Sequence, residues 1–212
     1  MIITHQGVDS FKVSFGDITL AINPISKDSK IKSSRFGADI TLISSNDSEH
    51  NGSDSTSRGE KESFVIAGPG EYEVSGIFIK GFLSKTFYDG KENVNTIYTV
   101  QMEGMNLCFL GAFGEDSIPA SAKKATEDVD IVFVPIGGNG VLTPAQAQKI
   151  AVQFEPRVII PTHFENVGEK DSLKNFLKEA GAEGVKPTDK FTIKKKELDG
   201  MEGEVVVLTE HV

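Results

Sequence analysis

Two uninterrupted apolar runs, DIVFVPIG at 130–137 and RVIIP at 157–161, constrain the fold of this chain more than any other feature. A strand with one face in water alternates apolar and polar side chains. A run that is apolar throughout needs cover on both faces, as in a parallel sheet flanked by helices. Helices able to supply that cover are legible beside both runs. TPAQAQKIAVQF at 143–154 opens with Thr143 as N-cap, Pro144 at the first helical position and Gln146 three residues after the cap, and it carries Ala147, Ile150, Ala151 and Phe154 as a stripe. KDSLKNFLKEAG at 170–181 places Leu173, Phe176, Leu177 and Ala180 on one face and stops at Gly181, a natural end residue. The second half therefore has α/β character.

The first half reads as strands. FKVSF (11–15), ITLAIN (18–23), DITLIS (39–44), FVIAG (64–68) and IFIKGFL (77–83) are short apolar or alternating runs, followed by NTIYTVQM (95–102) and NLCFLG (106–111). Gly16-Asp17 and Glu103-Gly104 suit tight hairpins. GPGEYEVSGI at 68–77 reads as a Gly/Pro turn entering a strand, with a pocket wall carrying Glu71 and Glu73 as the rival reading. Residues 45–63 contain no apolar side chain; beyond Gly52 they suit a solvated surface loop, against a lid over a pocket. No linker or repeat divides the chain, so residues 1–212 are expected to form a single domain.

Composition excludes several functions. A net charge of −9 disfavours an extended phosphate backbone as partner, and the only basic run, Lys194-Lys195-Lys196, is too small to alter that, so no nucleic acid is expected. No run approaches the roughly 18 apolar residues of a membrane span, and the start MIITHQGVDSF lacks a signal-peptide pattern. A cytoplasmic protein with no membrane partner is expected. The single cysteine, Cys108, lies in apolar MNLCFLG and reads as a core residue rather than a nucleophile. A small molecule or a protein is left as the partner, and exposed strand edges allow a homo-oligomer.

Chemistry concentrates where TLISSNDSEHNG (41–52) leaves a predicted strand: Asp47, Glu49 and His50 follow an apolar run directly. His163, in IIPTHFEN, lies just past another such strand, with Glu165 two residues on. Imidazoles and carboxylates aimed at one point from two strand ends can hold a transition metal, and hydrolytic sites leave one position open for water. The alternative is that the acids are only solvated and the histidines only hydrogen-bonded. His5 and His211 have no partners in sequence.

The order of LAINP, ADITLISSNDSEHNG, GPGEYEVSGI, NTIYTVQMEGMNLCFLGA, VDIVFVPIGG and RVIIPTHFEN resembles the metallo-β-lactamase superfamily, closest to its small metal-dependent hydrolase branch, which includes the ascorbate-phosphate lactonase-like proteins. The resemblance runs from Ile2 to Asn166. It implies a four-layer αββα sandwich of the α/β class, with the metal site at one edge of two facing sheets. It also implies a damaged ligand set. The family motif His-x-His-x-Asp-His falls on Ser45, Asp47, Glu49 and His50; the bridging Asp falls on Ala112; and no histidine lies between Gly76 and Asn95, where Ser84 or Thr86 occupies the neighbourhood. The last ligand survives as His163, while the family's Asp-Pro appears as Asn23-Pro24 and its early Gly-His as Gly7-Val8.

The metal held by three histidines would thus lose its ligands, while the second could keep Glu49, His50 and His163. The implied cofactor is either none or one weakly bound divalent metal, Zn²⁺ before others. The favoured expectation is a catalytically impaired or non-catalytic binding module on a hydrolase fold. The alternative is a mononuclear metal-dependent hydrolase using Glu49, His50 and His163, with Asp47 as general base. A metal-free arrangement of Ser45, Asp47 and either histidine ranks last.

Overall fold

The computed structural model describes residues 1–57, 59, 62–164 and 166–211. The strands in chain order are β1 (Ile2–His5), β2 (Phe11–Phe15), β3 (Ile18–Ile22), β4 (Ile40–Leu42) and β5 (Phe64–Ile66), then β6 (Gly70–Val74), β7 (Ile77–Thr86), β8 (Asn93–Met102) and β9 (Met105–Phe109), and finally β10 (Ile131–Pro135), β11 (Val158–Thr162), β12 (Phe191–Thr192) and β13 (Glu204–Val205). They form a six-stranded sheet in the order β12-β1-β2-β3-β4-β5 and a seven-stranded sheet in the order β13-β11-β10-β9-β8-β7-β6. The helices are α1 (Ala120–Lys123), α2 (Pro144–Ala151) and α3 (Ser172–Glu179).

Alternation decides which side chains fill the space between the sheets. Leu20 and Ile22 of β3, and Ile40 and Leu42 of β4, point inward to meet Tyr98, Leu107, Phe133 and Ile160 of the second sheet in one core. The intervening Ala21 and Thr41 point the other way yet are also fully buried. Irregular chain covers them: Thr41 Oγ1 bonds to Thr56 Oγ1 at 2.9 Å, and the Ala38 N–H donates to the Thr56 carbonyl at 2.9 Å. The stretch expected to be a solvated loop beyond Gly52 is thus pinned to the first sheet as far as Thr56, and Arg58, Glu60 and Lys61 lie outside the described residues.

The uninterrupted apolar strands are β10 and β11, buried at every position and paired in parallel. Their outer face meets α2 through Ala147, Ile150 and Ala151 and α3 through Phe176, in a second core that also takes Cys108, Val132 and Val134. The capping box read at Thr143 and Gln146 is formed, with both side chains bonding back to the backbone. Past the end of α3, Gly181 adopts φ +65°, the left-handed conformation that closes a helix. Glu103-Gly104 joins β8 to β9 with φ of 56° and 70°, and Ser75-Gly76 joins β6 to β7 with 53° and 76°. Two consecutive positive φ values make turns whose twist matches paired strands. In β6, Glu71 pairs with Lys80 of β7 at 3.2 Å on the surface. Among the described residues no helix is long and apolar enough to cross a membrane.

Candidate metal centre

Strand direction gathers one set of chain segments at a single edge. β3, β4 and β5 run parallel, and β2 is antiparallel to β3, so β2 starts where β4 ends. In the second sheet β9, β10 and β11 are parallel, and β7, two antiparallel steps from β9, ends with them. The segments leaving β4, β7, β9 and β11, and the turn entering β2, therefore converge.

After β4 the chain makes one tight turn, with the N–H groups of His50 and Asn51 both donating to the Asp47 carbonyl, at 3.1 and 3.0 Å. The turn aims His50 inward, fully buried, with its Nδ1 2.6 Å from Asp47 Oδ1. His163 comes from the end of β11. Its φ of +56° is unusual for a residue with a side chain, and its N–H donates to the Val8 carbonyl at 2.9 Å. That backbone is tightly enclosed: a Cβ on Gly137 would lie 2.0 Å from the His163 carbonyl oxygen, and one on Gly168 2.8 Å from it. Strain held in this way is characteristic of functional positions. The two Nε2 atoms face each other at 3.0 Å.

The third member is Asp9, from the turn entering β2. It is 1% exposed, and its carboxylate oxygen lies with the two imidazoles in a group whose ligand atoms are all within 4.8 Å of one another. Each of the three has its far side fixed by a neighbour. Asp47 holds His50; Thr162 Oγ1 is 3.1 Å from His163 Nδ1; and Asn23 Nδ2 donates to Asp9 Oδ2 at 2.6 Å. Asn23, with φ 44°, also accepts from the Ser44 N–H at 2.8 Å, tying the turn before β2 to the end of β4.

Sequence pattern did not identify two residues of this centre. Asp9 precedes its strand and belongs to no His/Asp cluster in sequence; its only signal is an acid immediately ahead of an apolar strand. Tyr88, just past β7, lies edge-on to both imidazoles, with ring centroids 5.6 Å from His50 and 5.8 Å from His163. It comes from the segment where a histidine was sought and Ser84 or Thr86 was named. Ser84 Oγ instead accepts from Asn95 Nδ2, and Thr86 Oγ1 accepts from the Tyr88 N–H. Of the expected residues, His50 and His163 come together, with Asp47 behind His50. Glu49 stands outside the group, its Oε1 accepting from Ser29 Oγ and Ser48 Oγ, each at 3.0 Å. Glu165 lies outside the described residues.

The electrostatics divide the two histidines. Burial lowers the basicity of His50, but the adjacent Asp47 carboxylate outweighs it, helped by Asp9 and Glu49, and the net shift is upward. His163 is equally buried, and burial, with His50 opposite, pushes it well below the ordinary range. The contact between the two Nε2 atoms requires one ring to donate and the other to accept. Burial pushes Asp47 up, but the His50 charge and hydrogen bond leave it below its usual value. Burial raises Asp9 to about 6, with His50 and Asn23 opposing. Burial and the nearby Glu49 and Asp47 raise the Tyr88 phenol, which stays neutral.

A family model described as the beta-lactamase superfamily domain matches residues 2–163. The chain belongs to the metallo-β-lactamase superfamily. A proposed Zn-dependent hydrolase of this superfamily from Thermotoga maritima is 26% identical, with 99% of each chain covered and a TM-score of 0.73. A proposed metal-dependent hydrolase from Parabacteroides distasonis matches at 18% identity, over 99% of this chain and 93% of that one, with a TM-score of 0.67. A metallo hydrolase from Ignicoccus hospitalis matches at 17%, over 91% and 99%, with a TM-score of 0.62.

Among the described residues, Asp9, His50 and His163 are the group that could hold a metal ion. Two imidazole nitrogens and one carboxylate, each oriented by a second hydrogen bond, are what a mononuclear site requires. Ala112, past β9, offers only a methyl group, and its N–H is taken by Asn95 Oδ1 at 3.0 Å. Ser45 and Tyr88 complete no second set of imidazoles.

Proposed function

We propose that this chain is a metallo-β-lactamase-fold module that holds a single divalent ion, Zn²⁺ before others, through Asp9, His50 and His163, and has given up dinuclear hydrolysis. The observation that carries the reading is the group of three buried ligand atoms drawn from both sheets, each backed by its own partner. The bound ion would supply Lewis acidity. The chain's residues do the rest: Asp47 fixes the His50 ring, Thr162 fixes the His163 ring, and Tyr88 packs edge-on against both. Asp47 is committed to His50 Nδ1 at 2.6 Å, which favours a positioning role over that of general base.

A second reading, a mononuclear hydrolase, is favoured by one observation: three protein donors leave a coordination position free, as hydrolytic Zn²⁺ sites do. The similarity to Zn-dependent and metal-dependent hydrolases supports that class.

Elemental analysis of untagged protein, purified without chelators and then offered excess Zn²⁺, tests the assignment. About one ion per chain is expected in the wild type and in Glu49→Gln, and none in Asp9→Ala or His163→Ala. Metal-free wild type after Zn²⁺ incubation, or metal lost in Glu49→Gln and kept in Asp9→Ala, would overturn it. A screen of the loaded protein against phosphodiesters, lactones and thioesters then separates a binding module from a hydrolase.

A further inference from the structure

A cavity of about 660 Å³ opens between the ends of β4 and β5 and the start of β8, beside the metal centre but lined by none of its three ligand residues. One wall carries hydroxyl and amide residues: Ser45, Asn46, Asn51 and Asn93. The other is apolar, with Val65, Ala67 and Val94, of which Val65 is 44% and Val94 57% exposed. No charged side chain lines it, in a chain where 25% of residues are charged. The size is that of a small-molecule site.

The chemistry of the walls selects the ligand. An ion entering this space would lose hydration and meet no counter-charge, which is costly. A neutral molecule with hydroxyls round its rim and C–H groups on its face matches both walls. Asn51 Nδ2 donates to Asn46 Oδ1 at 2.8 Å, which leaves an amide donor on Asn46 and an acceptor on Asn51.

We propose that this cavity binds a neutral polyhydroxylated small molecule, a mono- or disaccharide. Asn46 and Asn51 flank the turn that carries Asp47 and His50, so the ligand rests against the outer side of the segment that holds the metal ligand. The proposal stands on the cavity alone and not on occupancy of the metal centre.

Saturation-transfer NMR and calorimetry test it with glucose, N-acetylglucosamine, maltose and trehalose as neutral probes, and glucose 6-phosphate and glucuronate as charged ones. At least one neutral sugar is expected to bind saturably and both charged sugars to fail. Ala67→Phe, at an exposed position that fills the cavity, and Asn93→Ala, at an exposed position on its rim, should each weaken binding about tenfold or more, with melting temperature unchanged. No saturable binding of any neutral sugar up to tens of millimolar, binding unaffected by both variants, or equal binding of the charged sugars would each overturn it. Neither variant touches Asp9, His50 or His163, so metal stoichiometry reports separately on the metal centre.

Discussion

His5 makes stability depend on pH in a way that one substitution can isolate. The ring is 1% exposed, stacked on Phe11 at 4.7 Å with 15° between planes, and its Nε2 is 3.2 Å from the Val8 carbonyl. Burial is the main cause that lowers its pKa from 6.5 to about 4. A base that is harder to protonate when folded favours unfolding once protons are available, so its contribution is intact above pH 6.5 and is lost as pH falls from there towards 4. The full difference is about 3 kcal/mol. Between pH 7.5 and pH 5 the linkage relation gives about 2 kcal/mol, because at pH 5 an unfolded His5 is almost wholly protonated and a folded one mostly neutral. His5→Phe retains a ring against Phe11 and gives up the bond to Val8, a loss of about 1 kcal/mol that does not vary with pH. Urea unfolding of both proteins at pH 7.5, 6 and 5 should show the wild type losing about 2 kcal/mol more than the variant across the range. Contributions from groups that do not interact with His5 are common to both and cancel in the difference; His163, to whose shift His5 contributes least, changes only slightly. Equal losses in the two proteins would refute the assignment of a buried, neutral His5.

Gly137→Ala places a methyl 2.0 Å from the His163 carbonyl and should cost at least about 1–3 kcal/mol in urea unfolding, whereas Gly184→Ala, with nothing within 4 Å, should be close to neutral. Cys108 is fully buried, and burial pushes its thiol up, so a thiol reagent should label the native protein only as fast as it unfolds; rapid labelling under native conditions would contradict the packing. Asp47→Asn keeps the turn but removes the charge from His50 Nδ1, and a competitive Zn²⁺ titration should show affinity about 10–100-fold lower.

The sequence carried the architecture wherever pattern is local. Continuous apolar runs marked β10 and β11, a Thr-Pro-x-Gln start marked α2, and Gly-containing turns marked the hairpins. At the site it carried only what is tied to a strand end by a recognisable residue type. His50 and His163 could be named because an imidazole after an apolar strand is conspicuous. Asp9 could not, because its place depends on β2 running antiparallel to β3 and so beginning at the edge where β4 and β11 finish, a relation between distant segments. Glu49 shows the converse: next to His50 in sequence, it is turned towards Ser29 and Ser48 by a single turn whose direction no spacing rule gives. Tyr88 is a ring where a ligand type was sought, and only packing reveals that it lies over both histidines.

The contact between His50 and His163 joins residues 113 positions apart, one at the end of the first sheet and one at the end of the second. It therefore acts as a clasp across the mouth of the sandwich rather than as a feature of either layer. No fragment confined to one sheet can assemble it, and the loop it closes takes in about half of the chain. An ion bound there would behave as a removable cross-link, shifting the folding equilibrium in proportion to its affinity for the closed form and leaving the separated layers without a binding site.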